Sequence, residues 1–302
     1  MELILHNNVR SMFSEKVRRV LAYKGLDWTD VQVPGLPPKT HFVPLTGGYR
    51  RMPALQIGAD VYCDSALIVQ KLEDIAPDPT VFPQDCAGAA RMIADWADHR
   101  VAMWSIIAVF PDFLAHASDE FIKDRTALVA DFAPERVAVL APHMLAQVAQ
   151  FAGLVDQALT GHDYVAGPQF SVADAACYHV LAFAKNSPRV FAAVQQFHHI
   201  LDWMARIEAF PQPQITQREP DYALAAALAA EPVDIGGTCG EGEAFALGQC
   251  VAISADDYAK EQIIGPIVKL TPTEIAVGSH GDQVGDIAIH FPRLGFTIAP
   301  VD

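Results

Sequence analysis

Ser11 lies in the segment Asn7-Asn8-Val9-Arg10-Ser11-Met12-Phe13-Ser14, between a strand-like run and a helical one. The start of a helix carries unpaired N–H groups and a partial positive charge, so such a turn favours an anion beside it. Ser11 adds a hydroxyl, and Arg10, Lys16 and Arg18 add positive potential. A thiolate bound there would have its pKa lowered from ~8.5, because hydrogen-bond donors and the helix dipole favour the charged form. The same residues also suit an ordinary helix cap by Ser11 or Ser14. A second constellation is Arg51-Met52-Pro53-Ala54-Leu55, followed by Asp64-Ser65. Proline ahead of a β run fits a cis bend at Met52–Pro53 that presents the backbone of Met52. Asp64 and Ser65, opening a helix, can take an amino acid end-on. Ser65 and backbone N–H groups would meet the carboxylate, and Asp64 the ammonium. Asp64 is equally suited to capping that helix. Tyr49 is a rival hydroxyl beside the Gly47–Gly48 loop.

The elements that must position these residues follow from periodicity. Glu2 to His6 reads as a strand, Phe13, Val17, Val20 and Leu21 recur at helical spacing, and Gly25 ends that helix. Trp28 to Val33 is a second β run, residues 53–63 are two strands joined at Gly58–Asp60, and Asp64 starts a further helix. This order, βαβ–ββα, predicts a small α/β domain over residues 1–80. Residues 87–228 are Ala-rich with long helical patterns and read as an all-α domain. From about Pro232 the texture turns to β-branched runs separated by Gly, Pro and Asp, which predicts a small antiparallel β-rich domain over 232–302.

Composition restricts the partners. The 302 residues carry 21 basic and 36 acidic side chains, a net −15, which disfavours nucleic acid. Residues 1–80 are net zero and residues 232–302 net −7, so a small anion belongs with the first eighty. No uninterrupted apolar run reaches the ~18 residues of a membrane span, and the N-terminus lacks a signal-peptide layout. Five scattered cysteines without a CxxC pair argue against a disulfide framework or zinc site, and a cytoplasmic setting is expected. His198–His199 and His280 lack partners at ligand spacing, so no metal is expected.

Taken together, Ser11-Met12-Phe13-Ser14-Glu15-Lys16-Val17-Arg18, Arg51-Met52-Pro53-Ala54-Leu55 and Cys63-Asp64-Ser65-Ala66-Leu67-Ile68 resemble motifs of the cytosolic glutathione transferases. In that family the helical part follows a thioredoxin-like domain. Ser171-Val172-Ala173-Asp174 is similar to its capping box and Ile200 to Ile207 to its closing helix. The resemblance covers about residues 1–220. It implies glutathione as co-substrate with no other cofactor, Ser11 as the catalytic hydroxyl, and Arg51, Met52, Pro53, Asp64 and Ser65 as glutathione-binding residues. It also implies a homodimer and a second pocket for a small apolar electrophile, for which Trp96, His99, Met103, Trp104 and Phe110 are candidates. The Trp/Met/Phe stripe equally suits a helical core. Capping physics assigns Ser171 and Asp174 to folding. Met12 departs from the family's usual proline, and no cysteine sits in the Ser11 turn.

The expected activity is conjugation of the glutathione thiolate to the electrophile. The alternatives are a non-catalytic binding or scaffold protein of the same fold, and a glutathione-dependent isomerase or lyase. The tail lies outside the resemblance. At about seventy residues its own core is marginal, so it is expected to dock on one of the other domains.

Overall fold

Strand β1 (Ile4–Asn7) is buried along its whole length in the computed structural model, which describes residues 1–301. It is buried because it is central: β2 (Trp28–Gln32) pairs with it in parallel and β3 (Ala54–Ile57) antiparallel, and β4 (Asp60–Cys63) extends the sheet from β3. Helix α1 (Met12–Lys24) follows β1, and Gly25, at φ 63°, ends it where the sequence places the stop. Helix α3 (Ser65–Ile75) follows β4. The predicted βαβ–ββα order is therefore present. A four-residue helix absent from the sequence reading, α2 (Val43–Thr46), lies between β2 and β3.

Two units emerge from the packing. One comprises residues 1–14, 26–72 and 213 onward, and the other residues 15–25 and 73–212. The expected boundaries differ from this division, and the reason lies in the sheet. Ile215–Arg218 forms β5, parallel to β2, and helix α11 (Pro220–Leu228) packs on the same unit, so the segment after 212 leaves the helical part.

The tail does form five strands: β6 (Cys250–Ala255), β7 (Ile263–Leu270), β8 (Glu274–Gly281), β9 (Gly285–Pro292) and β10 (Phe296–Pro300). They are not a sheet of their own. Strand β9 pairs in parallel with β4 over Asp60–Tyr62, giving one ten-stranded order β10-β6-β7-β8-β9-β4-β3-β1-β2-β5. Ile253, Ile263, Val277, Ile289 and Phe291 share a hydrophobic cluster with Ile4, Leu45, Val61 and Cys63. The expected β-rich C-terminal part is therefore present and packs on the first unit through one continuous sheet, which gives its marginal core the apolar surface it lacks. Gly47 records how close this packing is. Its φ of 60° lies in the left-handed region, and a Cβ there would meet Ile289 Cδ1 at 2.8 Å and Ile263 Cγ2 at 3.0 Å.

The second unit contains α4 (Ala87–Trp96), α5 (Ala102–Leu114), α6 (Asp119–Leu128), α7 (Pro134–Ala158), α8 (Val172–Phe183), α9 (Pro188–Gln195) and α10 (His198–Glu208). A π-helical turn, Ala97–Val101, joins α4 to α5. Helix α8 opens on a capping box: the Asp174 carboxylate accepts the Ser171 N–H at 3.0 Å and the Ser171 hydroxyl at 2.8 Å. The other Asp174 oxygen accepts the Val165 N–H and the Trp203 indole N–H. Helix α7 contains an 18-residue window of mean hydropathy 1.4, 28% of it buried, so by length and composition alone it is apolar enough to cross a membrane. Pro142, His143, Gln147 and Gln150 interrupt its apolar residues, so the sequence shows no unbroken run there. Its Val137, Val148, Phe151 and Val155 are core residues of this unit.

Candidate functional site

Ser11 immediately precedes α1, and its Oγ accepts the Ser14 N–H at 3.2 Å. Its own N–H bonds the Asn8 carbonyl at 2.9 Å. Ser11 is therefore the N-cap, which decides between it and Ser14. Ser14 is fully buried. A serine hydroxyl has two acceptor positions and one proton, so capping consumes acceptor capacity and leaves the donor function intact. The expectation that Lys16 and Arg18 lend charge to this turn is corrected. Lys16 is buried and ion-paired with Asp98, and Arg18 bonds Glu15 at 2.7 Å. Arg10 is exposed.

The second constellation sits in the same unit. The Met52–Pro53 peptide is cis, and Met52 packs half-buried against the tail-sharing hydrophobic cluster. Asp64 joins β4 to α3 at φ 76°, a left-handed conformation that costs a residue with a side chain roughly 1–3 kcal/mol when held. Aspartate, like asparagine, tolerates it better than most residues because its short polar side chain bonds locally, and here Asp64 Oδ1 accepts the Ala66 N–H at 2.8 Å. Ser65 is buried at the first turn. Arg51, 14% exposed in its side chain, is ion-paired with Asp257 and stacked on Tyr258, 3.8 Å from the ring centroid. Tyr49 is not a rival hydroxyl. It is 2% exposed, and its ring meets Phe291 edge-on at 5.6 Å. Burial, reinforced by Asp64, holds its phenol far above the usual range. Cys63, buried beside it, has its thiol pushed up by burial, then by Asp64, so it offers no thiolate.

Of the residues assigned to an electrophile pocket, Trp96 and Trp104 meet edge-on at 6.4 Å, and Trp96 also packs on Phe151 at 5.3 Å. Met103 and Phe110 belong to a different cluster with Ile107, Phe132 and Val137, and Phe110 is 4% exposed. The stripe thus divides between two packing environments. His99 faces its own helix, 3.1 Å from Asp95.

Two charged networks escaped the sequence reading because their members are far apart in the chain. In the helical unit, Asp98 on the π turn binds Lys16 and, at 2.8 Å, the ring of buried His179. Burial raises the Asp98 carboxyl, but the Lys16 ammonium and the His179 hydrogen bond outweigh it and bring it down to about 2. Burial lowers His179 more than Asp98 raises it, so the ring is a neutral donor.

In the first unit, His290 lies between two carboxylates, Asp60 at 3.1 Å and Glu274 at 2.7 Å. Two acceptors require both ring nitrogens to donate, so His290 is an imidazolium. Burial opposes that charge, but the two carboxylates prevail and raise its pKa. Lys269 bridges Asp234 and Glu274 at 2.6 and 2.8 Å, and Lys71 and the Tyr62 hydroxyl also reach Asp234. Asp234, Glu274 and His290 place three ligand-type atoms within 4.8 Å. A doubly protonated ring and bridging ammonium groups do not fit a cation, so the cluster reads as three acids balanced by three bases. It ties β4 and α3 to the tail.

Comparison with known proteins supplies the family. The family model described as glutathione S-transferase, N-terminal domain matches residues 5–80, and that described as glutathione S-transferase, C-terminal domain matches residues 109–211. The curated proteins contain no match. Among solved structures, a GST-like protein from Pseudomonas syringae superposes with a TM-score of 0.82 at 28% identity, covering 99% of both chains and so including the tail. A beta-etherase from Sphingobium matches 70% of this chain and 97% of its own, with a TM-score of 0.58 at 21% identity. A glutathione S-transferase from Methylobacterium radiotolerans, in complex with glutathione sulfonate, matches 71% of this chain and 96% of its own, with a TM-score of 0.51 at 22% identity.

Proposed function

Because the chain belongs to the glutathione S-transferase family, we propose that its first unit binds glutathione and that Ser11 activates the cysteinyl sulfur for attack on a small apolar electrophile. The observation carrying this reading is the Ser11 hydroxyl at the start of α1, with Oγ held by the Ser14 N–H and its proton available to a ligand. A hydrogen bond to a charged group contributes ~1.5–3 kcal/mol, which lowers a thiol's pKa by roughly one to two units. Starting from ~8.5, that brings the bound thiol's pKa to about 6.5–7.5, so that a substantial share is thiolate near neutral pH. The helix N-terminus adds in the same direction. The Met52 backbone would pair with the peptide part of glutathione, while Asp64 meets the γ-glutamyl ammonium and Ser65 its carboxylate.

Calorimetric titration with glutathione tests the binding half. The wild type is expected to bind, as a homodimer by light scattering rather than a single 32.8 kDa chain. Asp64→Asn keeps a residue that tolerates φ 76° and a side-chain oxygen for the Ala66 N–H, but removes the charge. Its dissociation constant should rise at least tenfold, about 1.4 kcal/mol. Equal affinity in both proteins would remove Asp64 from the site.

A further inference from the structure

The tail reaches the residues just before Pro53. Between β6 and β7, residues 256–262 lie against Arg50 and Arg51. The Arg51 Nη2 bonds Asp257 Oδ1, the guanidinium stacks on Tyr258 at 3.8 Å, and Glu261 Oε1 lies 3.9 Å from Arg50 Nε. The same Asp257 oxygen accepts the Tyr258 N–H at 2.7 Å. The loop's far end is fixed at Ile263, which packs against Gly47. Within the loop, Ala259 holds a φ of 48°, which alanine adopts only at a cost.

The Arg51 interaction is incomplete. A guanidinium meets a carboxylate best with two parallel N–H donors. Asp257 engages only Nη2, and Arg51 Nε is buried with no acceptor among the described residues. Glu261 Oε2 is likewise buried without a donor. Arg51 directly precedes Met52, whose peptide to Pro53 is cis, so the loop is held beside that bend.

Resting on the glutathione reading above, we propose that the 256–262 loop is a strap on that site, with Asp257 as an internal carboxylate that holds Arg51 until a ligand carboxylate displaces it. Glutathione has two carboxylates. One is assigned to Ser65, so the glycine carboxylate is the one available to Arg51. Taking Nε and Nη2 together, it makes the two-donor contact that Asp257 does not. Tyr258 keeps the guanidinium plane in place through the exchange. The tail, otherwise structural, thereby sets affinity and selects for a free carboxylate at that end of the ligand.

The test is calorimetry on the full chain with Asp257→Asn, using glutathione and glutathione esterified at the glycine carboxyl. Asparagine retains an oxygen for the Tyr258 N–H, so the loop keeps its turn while losing the charge. The ion pair is partly exposed, which sets the expected gain at about three- to fivefold tighter glutathione binding. The ester should bind wild type and variant alike. Unchanged or weaker glutathione binding by Asp257→Asn overturns the strap, as does an equal gain for the ester. If glutathione binds neither protein, the glutathione reading itself falls and the strap with it.

Discussion

Replacing Asp98 by Asn removes the charge that neutralises Lys16 while leaving an oxygen to accept the His179 N–H. Lys16 is fully buried in its side chain and Asp98 9% exposed, so the stranded ammonium has no path to water without rearrangement. Breaking one side of such a pair costs roughly 3–5 kcal/mol. The helical unit has about 150 residues, for which each kcal/mol moves the melting temperature by about 2–4 °C. The transition of that unit should therefore drop by about 6–20 °C in differential scanning calorimetry. Lys16→Met with Asp98→Asn removes both charges, and an apolar stem then fills the site. The double variant should recover more than half of the loss. The acid limb gives a second readout. Because the folded Asp98 carboxyl sits at about 2, below its ordinary 3.8, its contribution is present above about pH 4 and is lost as pH falls towards 2. Asp98→Asn should lack that part of the acid loss. A single variant melting within 2 °C of wild type, or a double variant less stable than the single, would refute the reasoning.

Cutting the chain after residue 231 should yield insoluble protein, because it uncovers the β4 edge and the cluster shared by Val61, Cys63 and Leu45; soluble yield and melting of the fragment check this. The His290 network predicts an alkaline loss of stability. Its folded pKa is raised above 6.5, so its contribution is complete below pH 6.5 and fades as pH rises through the folded value; His290→Gln should flatten that limb in denaturant titrations, and parallel pH profiles would count against it.

How far the residues alone disclose this molecule depends on whether the signal is local. The Ser11 cap, the Gly25 stop, the Asp64 helix start and the Ser171–Asp174 box are each written within four or five residues, and all are found where the sequence places them. Strands β6 to β10 are legible from alternation and turn residues. Their attachment is not, since pairing of β9 with β4 joins residues more than two hundred apart. Strand β5, Ile-Thr-Gln-Arg, is short, polar and mostly exposed, so it carries no apolar alternation. Lys16 shows the same limit at the candidate site: beside Ser11 in sequence, it reads as a surface charge until Asp98, eighty-two residues away, buries it.

The central claim is that the Ser11 proton stabilises a glutathione thiolate, and the most direct measurement is the ultraviolet thiolate absorbance of protein-bound glutathione titrated against pH in wild type and Ser11→Ala. Alanine also loses the cap to the Ser14 N–H, a cost of about 1 kcal/mol in stability that a melting curve will register separately. The account predicts a bound-thiol pKa well below the ~8.5 of a free thiol in wild type, and one to two units higher in Ser11→Ala, with glutathione affinity much less affected. Coincident titration curves for the two proteins would contradict it and leave Ser11 as a helix cap alone.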